Sequence, residues 1–178
     1  MTRATTTIDL STPAMKAWAK LPVGVLAEVI NDQLEILASP SPYHQRTLLK
    51  VTLALAAYIT NHKSGELFCA PVDVHLKEGV VVIPDIVYIA KDNPIIIANN
   101  GLHGSPDLHI GFLSPRNKKR DLITKKKLYE QTDVKEYWII DPIGKDTQGY
   151  LLRDGRYDEP LEMKSEINVR ILKKKIRF

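Results

Sequence analysis

The 178-residue sequence predicts an α/β fold in which helices flank a mixed central sheet. Three observations carry that prediction. His44, Leu48, Val51, Leu55 and Ile59 recur at helical spacing, and from Leu67 onward the apolar period changes to two. Pro-Asp and Ser-Pro pairs then punctuate short apolar runs, as strand boundaries do. Finally, a lysine-rich helical stretch separates those runs from a second series of strands.

Taken in order, residues 1–11 show no periodicity and read as an arm. Thr12-Pro13 reads as an N-cap with proline at the first helical position, opening a short helix through Lys20. Val25–Leu37 reads as a β-hairpin turning at Asn31-Asp32. Ser39-Pro40-Ser41-Pro42 stops it and starts a long helix, which Ser64-Gly65 ends. Val72, Val74 and Leu76 alternate with polar residues, and Glu78-Gly79 turns the chain into Val80–Ile83. Pro84-Asp85 leads the strand Ile86–Ala90. Residues 91–105 read mostly as loop, with one helical turn at Ile95–Ala98. Pro106-Asp107 opens the strand Leu108–Leu113, Ser114-Pro115 closes it, and a basic helix follows from about Asn117 to Gln131. Glu136–Ile140 is an aromatic and β-branched strand, followed by strands near 149–153, 156–163 and 167–172. No repeat appears, so the expected organisation is an arm with a short helix over 1–21 and one domain over 22–178.

Composition narrows the function. With 44% hydrophobic and 26% charged residues the chain is an ordinary globular one. A single cysteine, Cys69, excludes an intramolecular disulfide framework and multi-cysteine metal sites. No apolar run reaches membrane-spanning length, and the N-terminus lacks a secretory apolar core, so no membrane partner and a cytoplasmic location are expected. The net charge of +4 is unevenly spread. Residues 116–127 carry +6 and residues 170–178 carry +5, which leaves −7 for the rest. Two basic segments on an acidic body suit a polyanionic partner, although solvated helix faces produce the same pattern. In the first segment Arg116, Lys118, Lys119, Arg120, Lys126 and Lys127 are the candidates for DNA phosphate contacts. No aromatic residue is interleaved among them, which disfavours a single-strand stacking platform. The tail RILKKKIRF reads either as a solubilising end or as a strand with charged guards.

The chemistry-bearing stretch is Pro84–Asp141. Alternation puts Leu108, Ile110 and Phe112 on one strand face, and Asp107, His109 and Gly111 on the other. Asp107 reads as a cap on the strand entry. The basic helix lines up Asp121, Lys125 and Tyr129 at i, i+4 spacing, where Asp121 and Lys125 form an ordinary helix ion pair. Strand-borne carboxylates near a lysine are what metal-dependent phosphodiester hydrolysis requires: hard oxygens hold the ion and lysine assists the attacking water.

The segments APVDVHL, PDIVYIA and PDLHIGFLSPRNKKRDLITKKKLYEQTDVKEYWIIDP, with AEVINDQLEILASPSPYHQ upstream, resemble the Uma family of restriction endonucleases. That family is a bacterial branch of the PD-(D/E)xK nuclease superfamily, and the likeness spans about residues 22–155. It implies a restriction-endonuclease-like core and hydrolysis of DNA with Mg²⁺ or Mn²⁺. It also implies a first metal-binding acid at Asp85, a catalytic lysine at Lys125, and supporting roles for Glu28 and His44. The family's second strand acid falls on Gly111, which has no carboxylate. His109, two residues earlier on the same face, is the candidate replacement ligand, although imidazole suits transition metals better than Mg²⁺. The expectation is therefore a weakly held metal and weakened cleavage. The alternative is an inactive nuclease fold serving nucleic-acid binding or subunit assembly. A homodimer suits a fold that cuts two strands, but no residue specifies one.

Overall fold

In the computed structural model, which describes residues 10–114 and 118–178, the chain folds as two compact units, each drawn from separated segments. The first comprises the chain through Ser39 together with Ala70–Pro84 and Pro94–Ser105. The second comprises Pro40–Cys69, Asp85–Asn93 and Pro106–Phe178.

The first unit begins with helix α1 (Pro13–Trp18), whose N-cap Thr12 accepts the Met15 N–H. Strands β1 (Ala27–Ile30) and β2 (Gln33–Ile36) form the expected hairpin, with Ile30 opposite Gln33. Its two turn residues, Asn31 and Asp32, sit at φ 53° and 55°, the left-handed pair that a two-residue hairpin requires. The Asp32 carboxylate accepts the Ala14 N–H at 2.9 Å and so ties α1 to that turn. Ala14, Met15, Val29 and Val81 make the small core here.

Strands β4 (Val74–Lys77) and β5 (Val80–Val82) continue the sheet as the alternation predicts. Ile95–Ala98 corrects the sequence reading. It is not a helical turn: Ile96–Ala98 forms β7, hairpinned to β8 (Gly101–His103). A run of three isoleucines fits strand or helix by periodicity, and tertiary pairing decides. Strand β8 docks parallel to β4 with Leu102 opposite Val74. Gly101 permits that approach, since a Cβ there would lie 2.5 Å from the Asp73 carbonyl oxygen.

The second unit holds the longest helix, α2 (Pro42–His62), N-capped by Ser41 and closed by Lys63 in the left-handed conformation. Its strands are β3 (Gly65–Cys69), β6 (Ile86–Ala90), β9 (Leu108–Phe112), β10 (Glu136–Ile140), β11 (Asp146–Arg153), β12 (Arg156–Tyr157) and β13 (Leu161–Lys164). Within this mixed sheet β9 and β10 run parallel and β6 runs antiparallel to β9. Strands β14 (Glu166–Val169) and β15 (Lys174–Arg177) form a separate hairpin, so part of the basic tail is a strand.

Both faces of the central strands are covered. One presents Ile86, Tyr88, Leu108, Ile110, Phe112, Trp138 and Ile140 to the α2 stripe Leu48, Val51, Leu55 and Ile59. Each such side chain stabilises the fold by about 1.5–3 kcal/mol relative to exposure. The other face carries His109 and Tyr137, against which Tyr129 of helix α3 (Lys126–Gln131) packs. A π-helical turn, Arg120–Lys125, precedes α3. Asp107 is structural: its carboxylate accepts the Ala90 N–H, the Asn93 side-chain amide and the Lys135 ammonium.

Candidate active site

The antiparallel register pairs Ile86 with Ile110 and Val87 with His109. Continued by one residue, it sets Asp85 across from Gly111. The hydrogen bonds agree, because the Phe112 N–H donates to Asp85 Oδ2 at 2.8 Å. The other carboxylate oxygen, Oδ1, lies 2.8 Å from His44 Nε2. His44 can reach it because Ser41 caps α2 and places His44 in the first turn, with its ring against Phe112. Two of the residues singled out from the sequence, Asp85 and His44, are therefore in direct contact.

Lys125 and His109 form the second half of the arrangement. Lys125 Nζ lies 3.5 Å from Asp121 Oδ1, the expected pair, here within the π-helical turn. Such turns often accompany functional sites in helices. Burial and the Lys125 charge push the His109 imidazole down to a pKa of about 3, so it is neutral at physiological pH. His109 is fully buried, packs edge-on against Tyr129, and has no hydrogen-bond partner on either ring nitrogen among the described residues. Tyr137, opposite His109 in the parallel register, donates its hydroxyl to the Asp121 carbonyl oxygen. That hydroxyl borders position 111: a Cβ there would lie 3.6 Å from it, an ordinary contact.

Glu28 belongs to the first unit, where it is buried and accepts the Ile83 N–H at 2.9 Å. Of the basic candidates, Lys118, Lys119 and Lys127 are exposed, and Arg120 is half-buried. Lys126 directs its ammonium over the Tyr150 ring at 4.4 Å. Arg116 lies outside the described residues. The sequence alone places Tyr137 in the core and gives no sign of the Phe112 N–H. Strand alternation is the signal that puts Tyr137 on the site face, whereas a backbone donor leaves no trace in composition.

The donor set does not fit the octahedral, oxygen-rich shell that Mg²⁺ demands. Asp85 offers one carboxylate whose two oxygens already face protein donors, and position 111 offers none. Among the described residues, no three His, Cys, Asp or Glu side chains converge where they could hold a metal ion. His109 presents a neutral imidazole, a poor ligand for a hard cation.

A mixed sheet covered by helices thus carries Asp85 at the entry of β6 and Lys125 in the helical segment after β9, the placement that the restriction-endonuclease likeness implies. The chain belongs to the Uma2 family, described as "Putative restriction endonuclease", whose profile matches residues 15–172. Its fold is similar to that of a "putative nuclease belonging to DUF820" from Anabaena variabilis, with a TM-score of 0.72 at 16% identity. That likeness covers 88% of this chain and 89% of the other. No curated protein matches significantly. No helix among the described residues is long and apolar enough to cross a membrane.

Proposed function

We propose that this protein binds DNA through the Lys125-bearing face, and that divalent-metal hydrolysis of the phosphodiester is strongly weakened in it or lost. The carrying observation is the half-built acid pair. Asp85 stands across from Gly111, where a second carboxylate would be needed to hold Mg²⁺ or Mn²⁺. Family membership supports DNA as the substrate class, and the exposed Lys118, Lys119 and Lys127 supply phosphate-seeking charge. In this reading Asp85 and Lys125 are the residues on which any residual cleavage depends, with His44 positioning Asp85.

Position 111 has room for the first carbon of a side chain. Gly111 has no left-handed backbone to strain, and its Cβ would meet only ordinary contacts with Tyr137. Supercoiled-plasmid nicking with Mg²⁺ or Mn²⁺, together with metal titration calorimetry, tests the proposal. The wild type is expected to bind DNA in a salt-sensitive manner while cutting little and taking up little metal. Gly111→Glu is expected to gain metal binding and metal-dependent cleavage, and Gly111→Glu/Asp85→Ala to lose both. Robust wild-type cleavage abolished by Asp85→Ala would overturn the claim of weakened chemistry.

A further inference from the structure

A second basic locus lies in the same unit, on the side of α2 and away from the lysine-rich helix. The Asp141–Lys145 turn follows β10, and Lys145 there donates its ammonium to Thr47 Oγ1 at 2.8 Å. Thr47 stands one helical turn beyond His44 on α2, flanked by Arg46 and followed a turn later by Lys50. Arg46 and Lys50 are exposed and Lys145 is half-buried. The Lys145 ammonium is pushed below the usual lysine range by burial first, then by Lys50 and Arg46, with Asp141 opposing. Holding these cations together costs Coulomb energy in the free protein, and an anion placed among them would relieve it. Lysine and arginine with a threonine hydroxyl make a donor set suited to phosphate oxygens.

The locus also sits at the right end of the sheet. Phe112 and Ile140 pair as the last residues of the parallel strands β9 and β10. The Phe112 N–H holds Asp85, and the Lys145 turn begins immediately after Ile140. Thr47 lies one helical turn from His44, which meets Asp85, so the cationic locus adjoins the candidate site along α2.

We infer that Arg46, Lys50 and Lys145 form a phosphate-binding site that takes a backbone phosphate of bound DNA on the α2 side of Asp85. The inference rests on the DNA-binding reading for its ligand source, while its chemistry, phosphate recognition, is independent of that source. The Arg46 guanidinium lies 5.9 Å over the exposed Tyr43 ring, which holds it near the surface.

The test is fluorescence anisotropy with a labelled duplex between about 50 and 200 mM salt, a window in which phosphate interactions dominate the salt response. Arg46→Glu/Lys50→Glu alters only exposed side chains, and Lys145→Gln keeps a donor for Thr47 while removing the charge. Each phosphate interaction removed should reduce the slope of log affinity against log salt by about 0.9, so the double variant should shed about two such increments and bind at least about tenfold more weakly. Lys20→Glu/Lys91→Glu, an equal change of net charge at other exposed positions, should move neither quantity comparably. Calorimetry with pyrophosphate supplies the second arm. Wild-type slope and affinity in Arg46→Glu/Lys50→Glu would overturn the inference while leaving DNA binding standing. Pyrophosphate binding that depends on the cluster, in a protein that ignores DNA, would keep the site and sink the DNA reading. Binding of neither ligand by the wild type would overturn both.

Discussion

Acidification from pH 7 to pH 5 protonates histidines in an unfolded chain, whereas the buried His109 resists protonation. Its pKa falls from an ordinary 6.5 to about 3 on folding, burial being the larger cause and the Lys125 charge the second. Between those two values the unfolded state binds more protons than the native state, so stability rises with pH and is lost as pH falls below 6.5. Each pH unit below the unfolded value costs about 1.4 kcal/mol, which makes about 2 kcal/mol at pH 5 from this one ring. His109→Val replaces it with a β-branched apolar residue suited to a strand and removes the titration. The smaller side chain leaves a gap beside Tyr129, but that cost does not vary with pH. Urea denaturation of both proteins at the two pH values isolates the histidine, because all other titrating groups are shared. The wild type should lose about 2 kcal/mol more than His109→Val over this interval. Equal losses in the two proteins would refute the reasoning, and would mean that the ring is hydrated or bonded rather than stranded in the core.

Two further substitutions probe the frame that positions the site. Gly149→Ala should destabilise by about 1–3 kcal/mol, because a Cβ there would sit 2.5 Å from the fully buried Trp138 ring. Thermal denaturation should show a drop of about 5 °C, and an unchanged midpoint would mean the ring can move aside. Asp107→Ala should cost about 3 kcal/mol by stranding the Ala90 N–H and removing a charged acceptor. Lys135→Ala should cost under about 1 kcal/mol, since that ammonium is largely exposed. Chemical denaturation giving equal costs would show that the ion pair, not the strand-to-strand hydrogen bond, stabilises this corner.

The contrast between legible and illegible parts follows from the range of the forces involved. Local chemistry writes the Thr12 cap, the start of α2 after Ser39-Pro40-Ser41-Pro42, the Asn31-Asp32 turn and the strand Glu136–Ile140 into adjacent residues, and each forms where the sequence predicts. The Ile96–Ala98 strand depends on its partner β8 docking against β4, more than twenty residues earlier in the chain, so its apolar run is ambiguous in isolation. The same distinction holds within the site. The Asp121–Lys125 pair is an i, i+4 relation and is visible in the sequence, whereas the π-helical turn that houses it is not. The pairing of His44 with Asp85 follows no spacing rule, since 41 residues separate them, and only the family resemblance singles out both. Lys145 stands alone in sequence and attracts no notice there. Its cationic neighbours come from α2, nearly a hundred residues away.

Gly111 and His109 bear on the site together, because they occupy the same face of one strand. The glycine withholds a negative charge where a divalent cation would need one. The histidine adds a buried neutral ring, and an imidazole carries no negative charge in either protonation state, so it cannot replace the missing carboxylate. Meanwhile the charges that remain are engaged within the protein: Asp85 receives His44 and the Phe112 N–H, and Lys125 meets Asp121. A metal ion entering would share Asp85 with those donors and complete its shell almost entirely with water. A phosphate meets no such obstacle, since it is attracted by exposed lysines that require no rearrangement. On the proposed reading, the two capacities usually joined in a nuclease, holding the phosphate and holding the metal, rest on different residues. That separation makes Gly111→Glu informative: it adds a carboxylate at position 111 without touching any of the cations proposed to bind DNA.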